Sequence, residues 1–147
     1  MNKTGRIVTG LLILFLAVSC RRVNKSFKES KDADMAFQIM DLPNDSADDN
    51  TLNYKVRIIP QKKLMETSTM HDKTSMYYDM DSCFYIIDDK HEKIYPSLVQ
   101  PVANGVKDTY EYLLDFELNT GLAKQELNII YADRYINHKS YVIKLGK

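Results

Sequence analysis

From residue 52 onward, apolar and polar positions alternate along the chain. Leu52, Tyr54, Val56 and Ile58 fall on one side, and Asn53, Lys55 and Arg57 on the other. A period of two predicts a strand with one buried face, and Pro60 closes it because proline cannot donate to a ladder. Cys83 to Ile87 is an unbroken apolar run, as in a strand covered on both sides. Asp88 to Lys93 then forms a polar turn, and Ile94-Tyr95 begins a return strand, which predicts a hairpin. Leu98 to Val102 reads as extended, and Ala103-Asn104-Gly105 as a turn, since Asn and Gly tolerate positive φ. The clearest strand follows: Tyr110, Tyr112, Leu114 and Phe116 alternate with a mostly acidic face of Glu111, Leu113, Asp115 and Glu117. Asn119-Thr120-Gly121 turns the chain. Two more strands carry Leu127, Ile129 and Tyr131, then Tyr141, Ile143 and Leu145.

Short strands separated by turn signals predict an all-β fold, a small antiparallel β-sandwich of the immunoglobulin/transthyretin-like kind, with roughly six to eight strands over residues 51–147. A small barrel is the alternative. Residues 61–81 show no clear strand pattern, leaving room for one or two further strands there. No helical pattern longer than two turns is visible after residue 50.

Residues 20–50 read differently. The basic Arg21, Arg22, Lys25, Lys28 and Lys31 come first, then an acidic patch from Asp41 to Asn50, and no tyrosine precedes Tyr54. This composition predicts a flexible N-terminal tether. A chain of about 30 such residues has a root-mean-square reach of about 30 Å, and about 100 Å pulled straight. Within it, Met35, Ala36, Ile39, Met40 and Leu42 recur near helical spacing before Pro43. That spacing predicts a short helix over 33–42, with a first strand, or a segment ordered only by a partner, as equal alternatives. The acidic patch lacks the glycine and distal glutamate of a calcium-binding hand and reads as solvated linker.

The first twenty residues change the picture again. Lys3 and Arg6 give a positive head, and Ile7 to Ala17 is apolar apart from Thr9 and Gly10. About 20 apolar residues are needed to span a bilayer as a helix, so this shorter run describes a signal peptide, residues 1–19. Its end, Ala17-Val18-Ser19-Cys20, resembles the lipobox of bacterial lipoproteins, with Ala17 where that family prefers leucine and Leu16 one place early. The resemblance implies cleavage between Ser19 and Cys20 by signal peptidase II, a diacylglyceryl group on the Cys20 thiol, and acylation of the new amino group. Each buried methylene contributes ~0.8 kcal/mol, so two or three acyl chains hold a protein almost permanently. Lysine plus arginine equal aspartate plus glutamate at 20 each. Removing Lys3 and Arg6 leaves a formal charge of −2, which gives no electrostatic pull toward nucleic acid.

Motifs of catalysis are sparse. His71, His91 and His138 sit in polar segments without a zinc spacing. Met65, Met70, Met76 and Met80 are soft enough for cuprous copper, yet their spacing is irregular and methionine also fills cores and adaptable contacts. Asp79, Asp81, Asp88 and Asp89 bracket an apolar run, as strand-end residues do. Cys83 has no histidine or cation beside it and reads as a buried, inert thiol. No nucleophile elbow, phosphate loop or dinucleotide fingerprint occurs. The expectation is a non-enzyme with no metal site and no cofactor beyond the lipid on Cys20.

Loops then remain as working parts. Met70 and His71 in the first long connection, and Tyr135 and Ile136 among polar neighbours in the second, are the candidate partner-binding residues. For Tyr135, plugging the end of the core is the even alternative. A lipid-held sandwich is similar in architecture to the envelope lipoprotein of type VI secretion machines. That resemblance implies a structural or binding module of a cell-envelope assembly, anchored to the membrane and contacting another envelope protein. Arg21 after the cysteine is not an inner-membrane retention aspartate, so the expected location is the outer membrane, facing the periplasm. The alternative function is a ligand-binding lipoprotein for metal or glycan, or a small enzymatic one.

Overall fold

The computed structural model describes residues 27–43, 50–88, 90–118 and 127–145. Among these, two antiparallel sheets face one another across a single core. The first sheet contains β1 (Lys28–Lys31), β2 (Met35–Asp41), β3 (Thr51–Pro60), β6 (Leu98–Pro101) and β7 (Tyr110–Glu117), in the order β1-β2-β3-β7-β6. The second contains β4 (Phe84–Ile87), β5 (Lys93–Ile94), β8 (Asn128–Ala132) and β9 (Ser140–Lys144), in the order β5-β4-β8-β9. Two short helices, α1 (Lys62–Thr67) and α2 (Met70–Tyr78), cover one end of the sandwich.

The alternating strands behave as their patterns require. Leu52, Tyr54, Val56 and Ile58 of β3 lie opposite Phe116, Leu114, Tyr112 and Tyr110 of β7, and all eight are buried. Phe84, Ile86, Ile129, Tyr131, Tyr141 and Ile143 close the core from the other sheet. The rings of Phe84 and Tyr112 meet across the sheets at 5.4 Å, and those of Phe37 and Tyr131 at 5.8 Å. The hairpin expected around Asp88–Lys93 is present, with Ile86 opposite Ile94. Gly105 takes φ +69, as the turn chemistry anticipated, although the β6–β7 connection is longer than a tight hairpin. The turn expected at 119–121 lies outside the described residues.

Three expectations need correction. Of the readings open for 33–42, the strand forms, as β2, and not the helix; the sheet begins at Lys28, inside the span 20–50 expected as tether. β2 is buried on both faces, with Met35, Phe37 and Ile39 inward and Ala36 and Met40 outward. A nearly continuous apolar run lacks a period of two and is easily mistaken for a helix. Asp32 reverses the chain between β1 and β2, its carboxylate accepting the Asp34 and Met35 N–H groups at 2.7 Å each. Residues 61–81 hold no strand; they form α1 and α2, so His71 lies on a helix rather than in a loop.

Candidate functional site

The two ends of the sandwich differ. At one end β1 starts, with the Lys28 ammonium donating to the Leu145 carbonyl and lying 3.7 Å from Asp41. At the other end lie α1, α2, the β1–β2 turn and the loop 133–139. β3 runs between them, and its 10 residues span about 33 Å.

α2 is fixed from both sides. Thr69 caps its N-terminus, accepting the Asp72 N–H at 3.1 Å, while the Asp72 carboxylate accepts the Thr69 N–H at 3.0 Å. These hydrogen bonds hold the Asp72 carboxyl below its ordinary range. At its C-terminus the helix leaves carbonyls without intrahelical partners. Tyr112, buried in the core, donates its hydroxyl to the Met76 carbonyl. Tyr135 donates to the Asp79 carbonyl at 2.7 Å. Burial pushes the Tyr112 and Tyr131 hydroxyls far above the usual tyrosine range, so both remain donors.

Met76 and Ser75 face the core, while Met70, Thr74, Tyr77 and Tyr78 face outward. At 100° per residue these four share one side of the helix, and His71 flanks them. Met70 is 79% exposed and Tyr78 76% exposed. Tyr77 leans on Tyr110, with ring centroids 5.1 Å apart. The outward side therefore carries no formal charge and two aromatic rings, a composition that protein contacts favour. Tyr77 and Tyr78 were not singled out from the sequence. With Met76 inward and Met70 outward, both sides of α2 are apolar, and no amphipathic period marks it. Thr69-x-x-Asp72 was the one legible signal.

The other expected contact residues are turned inward. Tyr135 and Ile136 are half-buried and pack against the core. Their loop winds around Asp133, which is buried and accepts the Tyr131 hydroxyl at 2.8 Å and the backbone N–H groups of Tyr135, Ile136, Asn137 and His138. Lys139 reaches back to Asp34. The loop is a plug held by one carboxylate, and only Met70 and His71 of the four expected residues are openly presented.

Of the methionines, Met65, Met76 and Met80 are core residues. Cys83 is buried, and burial pushes its thiol up to about 11. No group of three or more His, Cys, Asp or Glu side chains suited to a metal ion occurs among the described residues. Asp79 and Asp81 are exposed at the end of α2. A cavity of about 180 Å³ beside the helices is lined by Lys62, Met65, Glu66, Lys73, Lys107 and Asp108. It is smaller than the 300–1,000 Å³ usual for ligand pockets. Ser19 and Cys20, the expected cleavage and lipidation residues, lie outside the described residues. No helix among the described residues is long and apolar enough to cross a membrane. In comparisons with known proteins, no family model, no curated protein and no solved structure matches this chain.

Proposed function

We propose that the protein is a membrane-anchored lipoprotein, acylated at Cys20, whose sandwich serves as a binding module for another envelope protein, with the outward side of α2 as the contact. The observation that carries this reading is the uncharged, rigidly held side Met70-Thr74-Tyr77-Tyr78. Met70 and the neighbouring Tyr77 and Tyr78 rings form a contiguous exposed apolar patch of the kind that marks protein contacts. The capping box and the Tyr112 and Tyr135 hydroxyls fix the helix in advance, which lowers the ordering cost of association. Membrane attachment rests on the lipobox resemblance at Ala17-Val18-Ser19-Cys20. The outer membrane, facing the periplasm, is the proposed location, and an assembly of the type VI secretion kind is one host for such a module.

The test places a photo-crosslinking side chain at position 78, and separately at the remote position 117, in the intact protein in its own cells. A single envelope protein captured from 78 but not from 117, and lost in Met70→Glu, is the expected result. Capture of no protein from 78 refutes the contact.

A further inference from the structure

The outer faces of the two sheets are unlike. On the first, Arg57 donates to Glu111 at 2.8 Å and to Gln38 at 3.1 Å, and Lys55 pairs with Glu111 at 2.5 Å, a charged ladder suited to water. On the second, Tyr85 lies opposite Ile130, and Ile130 opposite Val142. The Tyr95 ring extends this row, 5.9 Å from that of Tyr85. An apolar row thus crosses the whole sheet on its outer side, with Val142 53% and Tyr95 47% exposed and Ile87 beside them. The four strands carry only two charged residues, Lys93 and Lys144, both outward. Lys93 lies over the Tyr85 ring at 4.4 Å. Both lysines sit one step from the apolar row, toward the end where β1 begins: Lys93 opposite Ile87 and Lys144 opposite Asn128.

Chain length supplies a second, independent constraint. Only residues 21–26 separate Cys20 from Phe27, the first described residue, which is half exposed. Those residues, with their two flanks, reach at most about 25 Å. That is less than the length of the sandwich, and three of the six, Arg21, Arg22 and Lys25, are basic. A leash this short keeps the domain against the bilayer at high effective concentration.

We propose that the outer face of the four-stranded sheet rests on a bilayer of anionic headgroups, the Tyr95-Tyr85-Ile130-Val142 row meeting the interface and Lys93 and Lys144 meeting the headgroup charge. Tyrosine suits this boundary because its ring is apolar and its hydroxyl is wet. Lysine extends its stem over apolar surface and keeps its ammonium at the headgroups. The outward side of α2, whose Tyr77 leans on β7 of the opposite sheet, stays open to a protein partner. The leash part of this inference rests on acylation of Cys20; the chemistry of the face does not.

The test uses the full chain processed in its host and reconstituted in vesicles of phosphatidylglycerol and phosphatidylethanolamine. An environment-sensitive fluorophore is attached at Val142→Cys or, in a second protein, at Met70→Cys; Cys83 is buried and does not compete. Lipid-borne quenchers in the headgroup region are expected to quench position 142 at least threefold more than position 70. Lys93→Glu with Lys144→Glu is expected to abolish that difference while the chain stays bound to the vesicles. Equal quenching at 142 and 70 in the wild-type background overturns the proposal. So does burial of position 142 without vesicles that grows with protein concentration, which identifies a second copy as the occupant. Mass analysis of the N-terminal peptide tests the anchor separately. If no lipid is found, the chain is prepared with Cys20→Ser, so that only position 142 or 70 carries the fluorophore, and added from outside to the vesicles: selective quenching at 142 still supports the face, and none overturns it.

Discussion

Replacing Tyr112 by phenylalanine isolates one atom at the junction between sandwich and helix. The hydroxyl is fully buried and donates to the Met76 carbonyl in the last turn of α2. The Asp79 N–H at the end of the helix is already taken by the Ser75 carbonyl, at 2.9 Å. Phenylalanine keeps the ring and its contact with Phe84 but leaves that carbonyl buried without this partner. An unsatisfied buried polar group costs about 1–3 kcal/mol. For a domain of about 120 residues this lowers Tm by roughly 4–12 °C. Equilibrium urea unfolding, followed by tyrosine fluorescence and far-ultraviolet circular dichroism, measures the loss; the midpoint is expected to fall with the slope unchanged. Tyr135→Phe, which removes the more exposed bond to Asp79, is expected to cost less, about 0.5–1.5 kcal/mol. If the two substitutions cost the same, or if Tyr112→Phe is neutral, the hydroxyl does not hold the helix and the reasoning fails.

Asp133→Ala removes the hub of the 133–139 loop and strands several backbone donors, and is expected to cost about 2–4 kcal/mol by urea unfolding. Asp133→Asn, which keeps the shape but not the charge, should lose less. Glu111 gives a pH dependence. Burial alone would push its carboxyl up, but hydrogen bonds and charge from Lys55 and Arg57 outweigh that and hold it below the ordinary carboxylate range. A lowered folded-state pKa contributes stability that is complete above the unfolded value of about 4.3 and is lost as pH falls through the folded value. Wild type should therefore lose more stability than Glu111→Gln between about pH 5 and pH 2, measured by urea midpoints at each pH. Cys83, with its thiol pushed up to about 11 and no exposure, should react with a maleimide at pH 7 only on unfolding, which mass spectrometry of timed samples reads directly.

The alternation in β3 and β7 determined the heart of the fold. A strand with one wet face must place every second residue inward; the pairing of Val56 with Tyr112 satisfies that rule, but a slip of two residues would too, so the register itself was set by the assembled sheet. The hairpin at Asp88–Lys93, the buried thiol and the two-sheet class were legible for the same local reasons. The start of the domain was not. β2 is covered on both faces, so its residues form an apolar run that a helix and a strand share, and only its pairing with β3 distinguishes them. α2 was hidden because its outward side is as apolar as its inward side; nothing local says which tyrosine is a core residue and which is presented. Tyr112 and Tyr135 end as hydrogen-bond donors to one helix although 23 positions separate them. The row Tyr95-Tyr85-Ile130-Val142 is likewise drawn from two pairs of strands about 35 residues apart in the chain. The sequence determined which faces are apolar, because side-chain chemistry is local. Which faces are buried, and which are left for a partner or a bilayer, was decided by tertiary packing, because burial depends on what the rest of the chain brings opposite.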